Sequence, residues 1–263
     1  MKLPIYLIDA FTSERFKGNP AAVVPLDQWL PVETMQAIAA ENNLSETAFF
    51  IRETAESYHI RWFSPLKEID FCGHATLASA FVLFRHLLAA SPITFRADAV
   101  GELHVSLRGD GLIEMNFPDR EPVPVQDVPE ALLDGLSIRP GEVLKNVQAY
   151  VAVYADEGQV RAVVPDPLRL VELGPLDVAV TAPGKTCDFV SRYFWPANGG
   201  VEDPVTGSIH AGLAPFWGRR LHKTSLVALQ ASRRSGILAC RLDGGRVHVA
   251  GAAVQYLEGS IEI

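Results

Sequence analysis

Four side chains stand where they could do chemistry: Glu46, His74, Asp203 and Ser208. His74 directly follows Gly73 in "EIDFCGHATLASAF" (Glu68–Phe81), and Asp203 and Ser208 flank Gly207 in "GVEDPVTGSIHAGLAPFW" (Gly200–Trp217). Both stretches run through a glycine turn into an apolar, helix-like segment. At such a start the first backbone N–H groups have no intrahelical partner and add to the positive end of the helix dipole, which suits a carboxylate or phosphate. Gly73 and Gly207 are separated by close to half of the 263-residue chain. Two such starts facing each other across a cleft would hold an anionic ligand from both sides. Glu46, in "NNLSETAFF", falls between a helix end and an apolar strand. Loss of solvent there would prepare its carboxyl group for general acid/base work.

Taken singly, each residue has a plainer reading. Glycine often precedes a helix, Ser208 can be an N-cap, Asp203-Pro204 can be a turn, and a lone glutamate usually sits in water. The pairing of two similar turns is what favours a site.

The elements that must carry these residues follow from periodicity. "IYLIDAF" reads as a strand, and the turn Gly18-Asn19-Pro20 leads to a second strand, Ala21 to Leu26. Pro31 opens a helix with Val32, Met35, Ile38 and Ala39 at helical spacing, and Asn42 and Asn43 end it. "ETAFFI" and "SYHIRWF" are strands; Tyr58, Ile60 and Trp62 alternate with His59 and Arg61. The segment from His74 to about Leu88 is apolar nearly all round, which predicts a buried central helix. "ITFRAD", "GELHVSLR" and "LIEMNFP" follow as strands. The proline-rich run from Pro118 to Pro124 is the natural linker.

The second half repeats the plan loosely. "AYVAVYA", "VRAVVP", "VAVTA" and "CDFVSRYFWP" read as strands. A shorter helix, "SIHAGLAPFW", has Pro215 inside or at its end. "SLVALQAS", "GILACRL", "RVHVAGAAVQYL" and "SIEI" are again strands. This predicts an α+β protein of two halves, 1–118 and 119–263, each with strands around one apolar helix.

Composition sets outer bounds. Hydrophobic residues make up 48% and charged residues 21%, ordinary values for a globular chain able to bury a sizeable core. The net charge of -8 and the lack of a Lys/Arg cluster argue against nucleic acid as a partner. Cys72, Cys187 and Cys240 are widely spaced and odd in number, so no disulfide framework is expected. The longest uncharged run beside the first motif, Phe71 to Phe84, is shorter than the roughly 20 residues that span a bilayer. The N-terminus holds Asp9 and lacks a cleavage site, so a cytoplasmic location without membrane contact is expected.

No GxGxxG follows a strand, and "GVEDPVTGS" has no lysine before its serine, so nucleotide phosphates are not expected. HExxH and GxSxG are absent, and the seven histidines lack ligand-like spacing. The chemistry expected is therefore proton transfer with no metal and no cofactor, or no reaction at all.

The blocks "DAFTSERFKGNPAAVV", "NLSETAFF", "RWFSPLKEIDFCGHATLASA" and "GVEDPVTGSIHAGLAPFW" resemble, in this order, those of the PhzF-like isomerases, a family named for the phenazine biosynthesis enzyme. The resemblance runs from Ile8 through "QASRRSG" (Gln230–Gly236) to the end. It implies a diaminopimelate-epimerase-like fold, in which two pseudo-symmetric domains each wrap a β-sheet around a central helix. The last strand, about 257–263, can then pack back onto the first domain. It further implies a homodimer acting on a small carboxylate-bearing substrate without a cofactor. Glu46 matches the family's general acid/base. Gly73, His74, Asp203, Gly207 and Ser208 match its substrate-binding positions. The run "ATLASA" after Gly-His departs from the phenazine enzyme itself, so that enzyme's substrate is not carried over.

Two other readings compete. A racemase or epimerase on this fold needs a thiol at each helix start. Cys72 precedes Gly73, but Thr206 precedes Gly207. The other rival is a non-catalytic module binding a small acid or a protein.

Overall fold

Short apolar runs, each cut by a Gly, Pro or Asn turn, build the strand-rich α+β architecture of this chain, whose computed structural model describes residues 1–263. Contacts group Met1–Asn116 with Ala250–Ile263 as one unit and Phe117–Val249 as a second. No helix is long and apolar enough to cross a membrane.

The first unit contains β1 (Lys2–Ala10), β2 (Asn19–Leu26), α1 (Val32–Asn42), β3 (Glu46–Arg52), β4 (Ser57–Phe63), β5 (Glu68–Ile69), α2 (Gly73–Arg85), β6 (Ile93–Ala97), β7 (Gly101–Leu107) and β8 (Ile113–Pro118). β1 and β2 are antiparallel, β2 and β3 parallel, β3 and β4 antiparallel, β4 and β6 parallel, and β6 and β7 antiparallel. Each parallel pair requires a crossover, and α1 and α2 supply them. α1 ends where Asn43 adopts a left-handed φ of 49° and donates its N–H to the Ala39 carbonyl. Met35, Ile38 and Ala39 of α1 pack with Val24, Leu26, Phe49 and Phe63 of the sheet.

α2 is buried at nearly every position and contacts β1, β2, β3 and β7. A helix with no polar stripe has to be enclosed, and here the sheet curls around it. Its hydroxyls are spent internally: Thr76 donates to the Cys72 carbonyl and Ser79 to that of Ala75. The helix stops at Arg85, short of the expected Leu88, which takes a left-handed φ of 51°.

The second unit contains β9 (Val123–Pro124), α3 (Glu130–Asp134), β10 (Glu142–Lys145), β11 (Ala149–Val153), α4 (Glu157–Ala162), α5 (Pro167–Leu170), β12 (Asp177–Pro183), β13 (Phe189–Trp195), β14 (Gly200–Glu202), α6 (His210–Leu221), β15 (Ser225–Gln230), β16 (Gly236–Asp243) and β17 (Arg246–Gly251). β10 and β11 are antiparallel, β11 and β12 parallel, β12 and β13 antiparallel, β13 and β15 parallel, and β15 and β16 antiparallel. The order of pairing repeats that of the first unit. α6 takes the place of α2 in the second parallel crossover. The last strand, β18 (Ala253–Glu262), pairs antiparallel with β1 along its whole length.

The segment Val160–Pro165 is not the strand expected from its valines. Asp156 accepts the Gln159 N–H and caps α4, which turns Val160 into the second unit's core. α6 also runs further than its proline suggested. Pro215 has no N–H to give to the carbonyl of Ala211, and the Arg120 N–H takes that carbonyl at 3.0 Å. Arg120 comes so close that a Cβ on Gly212 would lie 2.7 Å from its carbonyl oxygen.

Candidate active site

The first constellation lies in the first unit. Glu46 is the first residue of β3, placed just after the left-handed Asn43 that closes α1. Gly73 is the first residue of α2, with Cys72 as its extended N-cap. The first intrahelical bond goes from the Thr76 N–H to the Cys72 carbonyl. The N–H groups of Gly73, His74 and Ala75 therefore have no intrahelical acceptor.

Glu46 and His74 are each 5% exposed. Glu46 Oε2 lies 3.0 Å from His74 Nε2. The ring N–H faces that oxygen off its axis, so Oε2 is buried beside an ionic neighbour without a well-aligned hydrogen bond. On the far side of the ring, His74 Nδ1 lies 3.1 Å from Asn19 Nδ2 and 3.3 Å from Cys72 Sγ. Ser45 Oγ donates to Asn19 Oδ1 at 3.4 Å. In the neutral ring the Asn19 N–H is donated to Nδ1, which puts the ring proton on Nε2, facing Glu46; in the charged ring both nitrogens carry a proton.

Burial opposes a charged His74, but the Glu46 charge and its contact with the Cys72 sulfur outweigh it and hold its pKa well above the ordinary value of 6.5. Burial, followed by the Glu46 charge, pushes the Cys72 thiol up to about 11. Cys72 is therefore a neutral thiol at physiological pH, and Glu46 is the neighbour that acts on His74 there.

Glu46, Cys72 and His74 also bring three donor atoms within 4.8 Å of one another, a spacing one cation could bridge. Their surroundings fit proton transfer better. A metal on Nε2 would drive the ring proton to Nδ1, against the Asn19 amide N–H. It would also need the thiolate form of a thiol that burial keeps protonated.

The second constellation lies in the second unit. Asp203 is buried, and Thr206 Oγ1 donates to its Oδ2. Gln230, fully buried at the end of β15, holds this turn. Its Oε1 accepts the Thr206 N–H at 2.8 Å, and its Nε2 donates to the Asp203 carbonyl at 3.0 Å and to Thr206 Oγ1 at 3.2 Å. Gly207, Ser208 and Ile209 form a tight turn before α6, with the His210 N–H reaching the Gly207 carbonyl.

Ser208 is not a helix cap. Ile209 occupies the N-cap position, and Ser208 Oγ instead accepts from Gln148 Nε2 at 2.9 Å. His210 is a structural histidine: its Nδ1 pairs with the Thr206 carbonyl at 2.9 Å, and burial lowers its pKa to about 4.

Glu46, Gly73 and His74 are thus brought together in one unit, and Asp203, Gly207 and Ser208 in the other. Three amides that hold them, Asn19, Gln148 and Gln230, carried no chemical signal in the sequence. Asn19 read as a turn residue, and Gln230 was only the first letter of "QASRRSG".

Comparison with known proteins agrees with this architecture. The family model described as "Phenazine biosynthesis-like protein" matches residues 8–259. An uncharacterized isomerase of Pseudomonas aeruginosa is 49% identical, with both chains covered in full. The crystal structure of a phenazine biosynthesis protein of the PhzF family from Enterococcus faecalis is 43% identical over the whole of both chains, with a TM-score of 0.94. A hydroxyproline epimerase from Agrobacterium vitis, 10% identical, shares the fold with a TM-score of 0.63 over 99% of this chain and 92% of that one. The fold is diaminopimelate-epimerase-like, and the chain belongs to the phenazine biosynthesis-like (PhzF) family.

Proposed function

We propose that the protein is a cofactor-independent isomerase that moves a proton between two carbons of a small carboxylate-bearing metabolite. Glu46 is the general acid/base. The observation that carries this is its carboxylate: buried, lacking a well-aligned hydrogen bond at Oε2, and 3.0 Å from the His74 imidazole. A carboxylate with one oxygen not held in an aligned hydrogen bond can accept a proton from carbon, and the acid so formed can return it to another carbon of the same molecule. The electron pair left by the C–H bond moves into the conjugated system of the substrate, so atoms and charge balance within one molecule. His74, with its raised pKa, stabilises the negative carboxylate before the first transfer and after the second. The N–H groups of Gly73 and His74, which have no intrahelical acceptor, are assigned to a substrate oxygen, where developing charge is best met by fixed dipoles. The same reading has the protein acting as a homodimer in the cytoplasm. The isomerase named among its relatives supports the reaction class.

A cysteine-assisted racemase is the second reading, favoured only by the position of Cys72. Against it, that thiol is held neutral, and its counterpart before Gly207 is Thr206, whose hydroxyl is committed to Asp203.

Incubation with pooled metabolites in heavy water, read by mass spectrometry, tests the proposal. Deuterium should enter a carbon of one carboxylate-bearing metabolite. If the protein binds small acids but never incorporates deuterium, it is a binding module.

A further inference from the structure

The repeated topology gives the Glu46–His74 pair a counterpart in the second unit. Glu46 opens β3 opposite Ala21 in a parallel ladder, and Asp177 opens β12 opposite Ala149 in the equivalent ladder. His74 follows Gly73 at the start of α2, and Ser208 follows Gly207 ahead of α6. In the first unit the two side chains meet directly. In the second, two others come between them. Tyr193 Oη lies 2.6 Å from Asp177 Oδ2, Gln148 Nε2 lies 3.0 Å from Tyr193 Oη, and the same Nε2 lies 2.9 Å from Ser208 Oγ. Asn198 Nδ2 holds the other carboxylate oxygen of Asp177 at 2.9 Å.

Each contact in this chain has only one possible direction. An ionised carboxylate can only accept, so the Tyr193 hydroxyl must donate to Asp177. Tyr193 therefore meets Gln148 with a lone pair, and Gln148 must present its NH₂ group rather than its oxygen. That group then donates to Ser208 Oγ as well. Ser208 has a lone pair engaged, and its hydroxyl hydrogen is turned away from Gln148. Tyr193 stays protonated throughout, because burial and Asp177 hold its pKa well above the usual phenol value.

We propose that Asp177, Tyr193 and Gln148 form a positioning relay that fixes Ser208 as a hydrogen-bond donor, and so selects a ligand offering an acceptor oxygen to it. That this oxygen belongs to a carboxylate rests on the function proposed above; the polarity of Ser208 does not. The repeat has thus kept a carboxylate at the head of the second parallel strand in both units. One copy faces an imidazole, and the other sets the direction of a hydroxyl.

A thiol placed at the serine position reports this polarity without any substrate. The test uses Ser208→Cys in a Cys187→Ser background; Cys72 and Cys240 are buried. The apparent pKa of the new thiol is read from the pH dependence of its alkylation by iodoacetamide, with the labelled position identified by mass spectrometry. Donation from Gln148 stabilises the thiolate, so adding Gln148→Leu should raise the value by about one unit. Tyr193→Phe and Asp177→Asn, neither of which touches residue 208, should each raise it too, because both free Gln148 to turn. Tyr193→Phe is nearly isosteric and provides the arm least exposed to folding defects. A value unchanged by Tyr193→Phe and Asp177→Asn overturns the relay, even if Gln148→Leu shifts it. The readout needs no turnover, so its failure leaves the Glu46 reading standing, and failure of the heavy-water test leaves the relay standing.

Discussion

Glu46 and Asp177 occupy the same place in the repeated topology, each the first residue of the strand that closes the first parallel pair of its unit. Their surroundings then diverge. Glu46 has an oxygen without a well-aligned hydrogen bond, whereas Asp177 is committed through both oxygens, to Tyr193 and to Asn198. The repeat preserved the position of a carboxylate but only one copy with the freedom to exchange a proton. On the proposed reading the proton is exchanged from the first unit alone.

The environment of His74 makes stability depend on pH with a definite sign. Its folded pKa lies above the ordinary 6.5, because Cys72 and Glu46 outweigh the cost of burial. The folded state thus binds this proton more tightly than the unfolded chain. The stabilisation is fully present below the unfolded value and is lost as pH rises through the folded one. His74→Gln should therefore be less stable than the wild type at neutral pH, by about 3 kcal/mol given a buried partner left behind. The gap should close through the alkaline range. Urea midpoints of both proteins across pH 6 to 10 (roughly, spanning the imidazole range) check this; a gap that widens with pH contradicts it.

Cys72 should be chemically quiet. Its thiol is pushed up to about 11, chiefly by burial, with Glu46 adding to the effect. Iodoacetamide at neutral pH should label the half-buried Cys187 well before Cys72. Cys72→Ala should keep isomerase turnover within about threefold of wild type, since no step runs through sulfur. Loss of turnover in that variant would restore the racemase reading.

Gln230 should matter to both stability and activity. Its amide makes one hydrogen bond to the Thr206 N–H, one to Thr206 Oγ1 and one to the Asp203 carbonyl, all inside the protein. Gln230→Leu should cost about 3 kcal/mol, at roughly 1 kcal/mol per bond. Thr206→Val is the milder change. It removes the hydroxyl that donates to Asp203 and accepts from Gln230, and should raise KM for the exchanged metabolite while lowering the melting temperature less than Gln230→Leu does. A lowered melting temperature with KM unchanged in Thr206→Val would make the turn purely structural.

Much of the scaffold was legible in the sequence because local chemistry and tertiary context agreed. Pro31 and the Asn42-Asn43 pair bound α1, alternation in "SYHIRWF" became β4, and the all-apolar run after Gly73 became the enclosed α2. Where local preference and context disagreed, the sequence misled. The valines of Val160–Pro165 have strand preference, but one aspartate cap outweighed it. Pro215 could stand inside its helix or at its end, and it stands inside because a distant N–H from Arg120 takes the carbonyl it leaves free. Glu46, Gly73 and His74 could be singled out by type and turn context. Their meeting depends on the parallel ladder that brings β3 beside β2, and so Asn19 beside the His74 ring. The supporting amides were not legible, because an amide has no distinctive spacing and its role is set only by what faces it. The repeat itself left little more than two glycines in the sequence, while the order of strand pairing is the same throughout both units.

Glu46 is the residue through which the proposed proton transfer must pass. Purified wild-type protein and Glu46→Gln are incubated with pooled metabolites in heavy water, and carbon-bound deuterium is read by mass spectrometry. Circular dichroism confirms that the variant is folded. The wild type should label one carboxylate-bearing metabolite, and Glu46→Gln should lower that labelling at least about 100-fold. Labelling by a folded Glu46→Gln at the wild-type rate would contradict the central claim.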